Sequence, residues 1–284
     1  MLADALADLR CPFCGGGLAL GEGAVVRCAA GHSFDVARQG YLNLLPGNAR
    51  TGSADTAAMV RARSGFLADG HFAPLSDALA GAAAAALAGP RAPAGAVVEI
   101  GAGTGHHLAA VLDRLPDRRG IALDISKHAL RAAARAHPRA VAVGCDAWGG
   151  LPLADGAAAL ALSVFAPRDP AELARVVVPG GALVVATPEP GHLAEAVAAV
   201  GMLSVPERKR ERVAGQLDGA FEPVGQSAVR ATLELDAAAL GQLVAMGPSA
   251  RHLDGTEIDR RVAALGEPFT VTVAVAVATY RRRP

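Results

Sequence analysis

The 284-residue sequence predicts an α/β protein: a doubly wound, mostly parallel seven-stranded sheet preceded by a small metal-held module. Three observations predict it. Apolar strand patterns alternate with helical ones from residue 96 to residue 187, the order that builds a parallel sheet covered on both faces. The first strand runs into a glycine-rich loop, Gly101, Gly103 and Gly105, and then into a helical pattern. Cys11, Cys14, Cys28 and His32 crowd into one front window, "CPFCGGGLALGEGAVVRCAAGH". The expected organisation is a metal-held module over residues 1–46 and a linker with helices over residues 47–94, packing on or lidding the ligand site. The main domain then covers residues 95–284.

Composition narrows the class. A hydrophobic fraction of 52% supports a large core, although much of it is alanine. No apolar run reaches the length of a membrane span; "AGAAAAALAG" is too short and too weakly hydrophobic. The front end lacks a basic region followed by an apolar one, so a cytoplasmic protein without a secretion signal is expected. In that setting, clustered cysteines with a histidine point to metal and not to disulfides. The 27 basic and 27 acidic residues cancel, so a nucleic-acid partner must be held by local patches. All but two of the basic residues are arginine, the side chain suited to phosphate and to base stacking.

The front window reads C-x2-C, thirteen residues, then C-x3-H. Each half forms a tight turn that presents two ligands from one side, and two such turns complete a tetrahedron. The Pro12 and Gly15–Gly16 positions, and Gly31 before the histidine, supply the turn chemistry. Thiolate and imidazole donors select zinc, and four protein ligands leave no open position, so the ion is structural. Between the pairs, "LALGEGAVVRC" predicts a hairpin turning at Gly21–Gly23. Phe34, Val36, Tyr41, Leu42, Leu44 and Leu45 are its expected apolar cover, and the polar "GNARTGSADT" reads as a linker. Two helical patterns follow, broken at Gly70. In the first, Met59, Phe66 and Leu67 share a face while Arg61 and Arg63 are expected to project elsewhere.

In the main domain, "AVVEI" leads into the glycine loop, whose GxGxG spacing differs from the GxGxxG of dinucleotide binders. Glu99, at the end of that strand, is placed for a ligand's amino group. "GIALDIS" is a second strand ending in Asp124, 23 residues after Gly101, where an acid can accept both ribose hydroxyls. "AVAVGCDAW" is a third, ending in Asp146 and suited to the exocyclic amino group of adenine. "AALALSVFAP" is a fourth, opening into a loop at Phe165. "ELARVVVPGGALVVATP" gives a helix, a turn and a fifth strand. Two further strands, "QSAVRATLELD" and "PFTVTVAVAVATYR", complete the seven, with helices around 206–218, 236–246 and 256–265. Each acid singled out lies at a strand's carboxyl end, where ligands of such sheets sit.

This series resembles the class I S-adenosylmethionine-dependent methyltransferases over roughly residues 95 to 190. The resemblance implies that Gly101, Gly103 and Gly105 approach the methionine part of the donor and Asp124 its ribose, and that the last two strands form an antiparallel hairpin.

Read with the front window, "CAAGHSFDVARQGYLNLLP", "MVRARSGFLADGHFAPL", "VVEIGAGTGHHL", "LDISKHALRAAARAHP" and "ATPEPGHL" together resemble one family over nearly the whole chain. It is the 23S ribosomal RNA guanine-N1 methyltransferases, and the likeness is strongest to the branch that includes the tylosin-resistance enzyme of macrolide producers. The resemblance implies methyl transfer to a guanine in a 23S rRNA hairpin loop near the peptide exit tunnel, macrolide resistance as a consequence, and a homodimer. It implies zinc on Cys11, Cys14, Cys28 and His32, and S-adenosylmethionine lined by Phe72, His107, Leu108 and His192. Phe72 stands where many relatives carry tyrosine, so the ring can still stack but has no hydroxyl to hydrogen-bond.

His106 and His107 begin the helix after the glycine loop, and His192 follows the fifth strand, all at the expected rim. Phe72 reaches the donor only if residues 66–75 fold back as a lid that excludes water. The loop "SVFAPRDP" lacks the Asn-Pro-Pro-Tyr type of sequence of amino-group methyltransferases, consistent with a ring-nitrogen target. Phe165 is the candidate to stack on an extruded base, and Asp169 either accepts the guanine proton or caps the loop. Arg10, Arg27, Arg38, Arg50, Arg61 and Arg63, against Glu22, Asp35 and Asp55, make the front region an expected RNA-docking element. Three other readings stand beside this one: a purely structural ribbon, a small-molecule methyltransferase, and a non-catalytic donor-binding regulator.

Overall fold

A computed structural model describes residues 1–49, 51–52, 54–90, 92–203, 215–253 and 255–284. At the front, β1 (Leu18–Leu20), β2 (Val25–Cys28) and β3 (Ser33–Asp35) form a three-stranded antiparallel sheet, with the expected hairpin between β1 and β2. Then come β4 (Leu42–Asn43), α1 (Ala57–Ala68) and α2 (Ala73–Ala86). Gly70, in the left-handed region at φ +81°, separates the two helices as predicted. Thr56 caps α1, its side chain accepting the Met59 N–H at 3.2 Å.

The main sheet contains the seven expected strands. They are β5 (Ala96–Ile100), β6 (Gly120–Asp124), β7 (Ala140–Gly144), β8 (Ala158–Val164), β9 (Val177–Pro188), β10 (Phe221–Leu235) and β11 (Phe269–Arg282). An eighth comes from the front module. The spatial order is β10-β11-β9-β8-β5-β6-β7-β4, with β11 antiparallel to both β9 and β10 and the remaining neighbours parallel. The eighth strand is β4, whose Leu42 and Asn43 align with Val143 and Gly144. Two residues at a pairing distance of some hundred positions give no periodic signal, so the sequence shows Leu42 as apolar cover only.

Residues of β5 and β8 are buried throughout, the pattern of parallel strands covered on both faces. Alternation along β5 divides the core. Val97 belongs to the cluster under α1, α2, α3 (His106–Arg114), α4 (Lys127–Ala133), α7 (Ala237–Ala245) and α8 (Gly255–Ala263), with α6 (Ala194–Val200) also on this side. Ala96, Val98 and Ile100 face the other way, toward α5 (Pro170–Val176) and the front module's Leu9, Phe34, Leu42 and Leu44. The front module therefore covers one face of the main sheet. Edge strand β10 alternates out to solvent with Glu222, Gln226, Arg230 and Glu234, polar residues that discourage pairing with another chain. The expected helices at 236–246 and 256–265 correspond to α7 and α8; the one at 206–218 lies mostly outside the described residues. No helix among the described residues is long and apolar enough to cross a membrane.

Candidate cofactor cavity and metal centre

The chain order reverses between β5 and β8, and ligands of open α/β sheets sit outside the strands' carboxyl ends at such a point. A cavity of about 380 Å3 opens there. Glu99, Gly101, Gly103, His106, His107, Asp124, Asp146 and Phe165 all line it, so residues spread over 66 positions of sequence meet at one rim.

The glycine loop is held by named contacts. Asp124 is its brace: Oδ2 accepts the Gly103 N–H at 2.8 Å and Oδ1 the Ser126 N–H at 2.8 Å. Each carboxylate oxygen keeps a second lone pair for a ligand hydroxyl. Gly101 sits at φ +66°, and a Cβ there would lie 2.8 Å from the Ala166 side chain, so any other residue would be strained and would push Ala166 aside. Gly105 has a different job. A Cβ on it would meet Ala136 at 3.0 Å and Ala133 at 3.1 Å, so this glycine lets α3 start against the segment that ends α4.

Glu99 is fully buried, and its Oε2 accepts the Leu108 N–H at 3.1 Å. Burial pushes its carboxyl up from 4.5 to about 8; the Leu108 N–H works against this and the Asp124 charge adds to it. Burial likewise raises Asp124, opposed by the N–H groups of Ser126 and Gly103. His107 is pushed down to about 3, chiefly by burial and then by the charges of His106 and Arg63, so it is a neutral imidazole at pH 7. Its Nδ1 lies 3.0 Å from Ser76 Oγ on α2.

Other singled-out residues stand differently. Leu108 is fully buried and meets the site through its N–H to Glu99. Phe72 is buried at the start of α2, edge-on to Phe66, and does not line the cavity. It touches the rim through His192, whose ring lies 6.5 Å from Phe72 and 5.9 Å from Phe165. Asp55, Arg63 and Leu67 line the cavity from this part of the chain, Leu67 being the lining residue that residues 66–75 supply. Asp169 caps α5, its Oδ1 accepting the Ala171 and Glu172 N–H groups at 2.9 and 3.3 Å; of its two suggested jobs this is the one seen.

Sequence reasoning missed Arg63, Asp55 and Trp148. Arg63 does not project away: it pairs with Asp55, and its Nη2 donates to the Met246 carbonyl at 2.7 Å. A signal was present, since position 63 follows Met59 by four and precedes Phe66 by three, on the buried face. Trp148, 71% exposed, stands at the cavity mouth two residues beyond Asp146. Phe165, also at the mouth, holds φ +55°, a costly conformation for a non-glycine residue and one that clusters at functional sites.

At the front, the donor atoms of Cys11, Cys14, Cys28 and His32 all lie within 4.8 Å of one another. Cys14 Sγ is 3.7 Å from Cys28 Sγ, and His32 Nδ1 is 3.5 Å from Cys11 Sγ and 3.3 Å from Cys28 Sγ. Tetrahedral zinc, with bonds of about 2.3 Å to sulfur and about 2.0 Å to nitrogen, requires separations of roughly 3.5–3.8 Å. The set fits. Phe13 covers it, its ring 5.0 Å from that of His32. The fourth cysteine, Cys145, is buried among the sheet residues. Of the docking arginines, Arg27, Arg38 and Arg61 are exposed, Arg10 donates to the Ala7 and Leu9 carbonyls, and Arg50 lies outside the described residues.

A doubly wound sheet with a glycine loop, paired acids at its rim and a Cys3His ribbon defines a class I methyltransferase carrying a structural zinc site. Comparison with known proteins agrees. The zinc-ribbon family described as "RlmA, N-terminal" matches residues 9–52, and a methyltransferase domain family matches residues 97–181. A Streptomyces fradiae protein named 23S rRNA (guanine(748)-N(1))-methyltransferase is 52% identical over 276 residues, covering 97% of each chain. A Micromonospora griseorubida relative, named provisionally as a 23S rRNA (guanine-N(1)-)-methyltransferase, is 52% identical over 294 residues and 99% of each chain. The chain belongs to the 23S rRNA guanine-N1 methyltransferase family.

Proposed function

We propose that the protein methylates N1 of a guanine in a 23S rRNA hairpin loop near the peptide exit tunnel, and that the guanine is the one equivalent to position 748 named for the Streptomyces relative. The observation that carries this reading is the juxtaposition in one chain of an acid-lined cavity, open at an aromatic mouth, with a zinc ribbon packed on the same sheet.

S-adenosylmethionine, when bound, would supply an electrophilic methyl group on a sulfonium; transfer to N1 leaves S-adenosylhomocysteine and releases the N1 proton to solvent. The chain's part is to bind and orient. Asp124 offers its remaining lone pairs to ribose hydroxyls, Asp146 accepts from the adenine amino group, and Glu99 faces the donor's ammonium. Neutral His107, fixed against Ser76, shapes the wall beside the glycine loop without adding charge. Trp148 and Phe165 flank the opening, where an extruded guanine stacks and presents its Watson–Crick edge inward. Orientation of this kind accounts for most of the rate of a bimolecular displacement. Arg27 and Arg38 of the ribbon, with Arg61 of α1, select the hairpin. A cytoplasmic homodimer that protects ribosomes against tylosin-type macrolides completes the reading, on family resemblance.

Labelled methyl groups should pass from S-adenosylmethionine to 23S rRNA and not to small metabolites. Transfer to a metabolite with RNA left unlabelled would replace this function with the small-molecule reading.

Glu99 gives a separate prediction. A carboxyl raised from 4.5 to about 8 contributes stability fully below pH 4.5 and loses it as pH rises through 8. The ligand-free protein should therefore lose stability between about pH 5 and 8, and Glu99→Gln should flatten that slope. Placing an ammonium beside Glu99 lowers its pKa, so donor binding at pH 7 should release close to one proton. Calorimetry in two buffers of different ionisation enthalpy reads this release, which should vanish in Glu99→Gln.

A further inference from the structure

The cavity has an unusual charge balance. Asp55, Glu99, Asp124 and Asp146 line it, against Arg63, His106 and His107. The histidines do not offset the acids, because burial holds both below their ordinary value, His107 at about 3. Arg63 is thus the permanent cation among the described lining residues.

Its position is fixed from three sides. Asp55 holds Nη1, the Met246 carbonyl holds Nη2, and a Cβ on Gly103 would lie 3.0 Å from Nη1, so the guanidinium rests directly on the middle glycine of the loop. Two of its five N–H donors are used in these bonds, which leaves donors for a ligand. Asp55 does not fully neutralise it. The Asp55 Oδ1 also lies 3.7 Å from Arg251 Nη2, so one carboxylate faces two guanidinium groups. Ser126 Oγ donates to the Asp55 carbonyl at 2.6 Å, which ties this strap to the turn beneath Asp124.

We infer that Arg63 is the binding site for the α-carboxylate of the methyl donor's amino-acid portion. This inference rests on the donor reading above. A donor of this kind brings two positive groups and one negative group into the cavity. The acids answer the positive groups. A carboxylate placed among four carboxyls needs a fixed cation, and planar guanidinium donors match its geometry.

Calorimetry on the full chain tests this with three ligands. S-adenosylhomocysteine carries the carboxylate, its decarboxylated analogue keeps only the amine, and 5′-methylthioadenosine lacks both. Arg63→Ala should lose about tenfold or more in affinity for S-adenosylhomocysteine and change less than about twofold for 5′-methylthioadenosine. Arg63→Lys should fall between. In the unaltered protein the decarboxylated analogue should bind about tenfold more weakly than S-adenosylhomocysteine, a difference that Arg63→Ala should erase. Equal losses for all three ligands would reduce Arg63 to a structural strap, and unchanged affinities would remove its role; either result overturns the inference. If the unaltered protein bound none of the three, the donor reading itself would fail, which is a different outcome. The analogue comparison needs no variant, so a variant that fails to fold does not protect the inference.

Discussion

Removing the metal, by chelation or by Cys28→Ser, should destabilise the whole chain and not merely its first residues. The front sheet alone buries little: Leu18, Val26 and Phe34 are its main apolar side chains. Zinc binding, worth roughly 10–16 kcal/mol in small domains, is what holds such a segment folded. The consequence spreads because the module is also a layer of the main core. Leu9, Leu42 and Leu44 pack in one cluster with Ile121, Leu123, Val141 and Val143, which metal loss would expose. The backbone is tied in as well. The Arg10 N–H donates to the Pro152 carbonyl at 3.0 Å, the Ala154 N–H to the Asp8 carbonyl at 2.7 Å, and Leu9 bridges Leu153. Arg119 grips the Asp8 carboxylate with two bonds, of 2.8 and 2.9 Å. The backbone contacts anchor residues 152–154, a few positions after the Asp146–Trp148 wall of the cavity, and Arg119 fixes Asp8 to the main domain. The melting temperature should therefore fall by about 10 °C or more in one transition, with donor affinity falling alongside. Elemental analysis should find one zinc per chain in the intact protein and none in Cys28→Ser. A zinc-free protein that melts where the loaded one does would contradict this account of the ribbon.

Asp124→Ala should abolish measurable donor binding. This side chain does two jobs at once, bracing Gly103 and Ser126 and presenting lone pairs to the ligand. Hydrogen bonds to charged groups contribute about 1.5–3 kcal/mol each, so losing two ligand bonds alone corresponds to a loss of at least about a hundredfold. The freed N–H groups then let the glycine loop relax, which adds to the loss. Asp124→Asn should be nearly as damaging, because an amide can turn its oxygen toward only one of the two N–H groups. By contrast, Asp146→Ala removes one ligand contact and the Trp148 N–H bond of 3.0 Å, so about a tenfold effect is expected. Affinity for S-adenosylhomocysteine in Asp124→Ala within a few-fold of the unaltered protein would show that the ribose lies elsewhere.

Those features were legible in the sequence because their geometry is local. Two cysteines three positions apart, or a cysteine and a histidine four apart, already fix a turn and its ligands. A strand, a GxGxG turn and a helix follow in unbroken order, and acids at strand ends inherit their place from the sheet. What sequence reading missed depends on distant partners. Arg63 meets the Met246 carbonyl across 183 positions, so its surroundings lie in no window of the chain. Read as a charge it belonged to a basic surface; its place on the apolar stripe of α1 was the better guide. Strand β4 exists because Leu42 and Asn43 find the free edge of β7. Gly105 looked like a ligand glycine, yet the neighbour it accommodates is protein. Phe72 and His192 come near the site through ring contacts, Phe72 onto His192 and His192 onto Phe165. Such a relay leaves no spacing to detect.

In the proposed function this cavity delivers a methyl group to guanine N1 in a ribosomal RNA hairpin. Reverse transcription across 23S rRNA treated with the protein and S-adenosylmethionine addresses it most directly, since a methyl on N1 blocks Watson–Crick pairing. One new stop is expected, immediately before the guanine equivalent to position 748 of the Streptomyces relative's name, with N1-methylguanosine in the digested RNA. An unblocked transcript and no methylated guanosine, from protein that binds S-adenosylhomocysteine, would contradict the account.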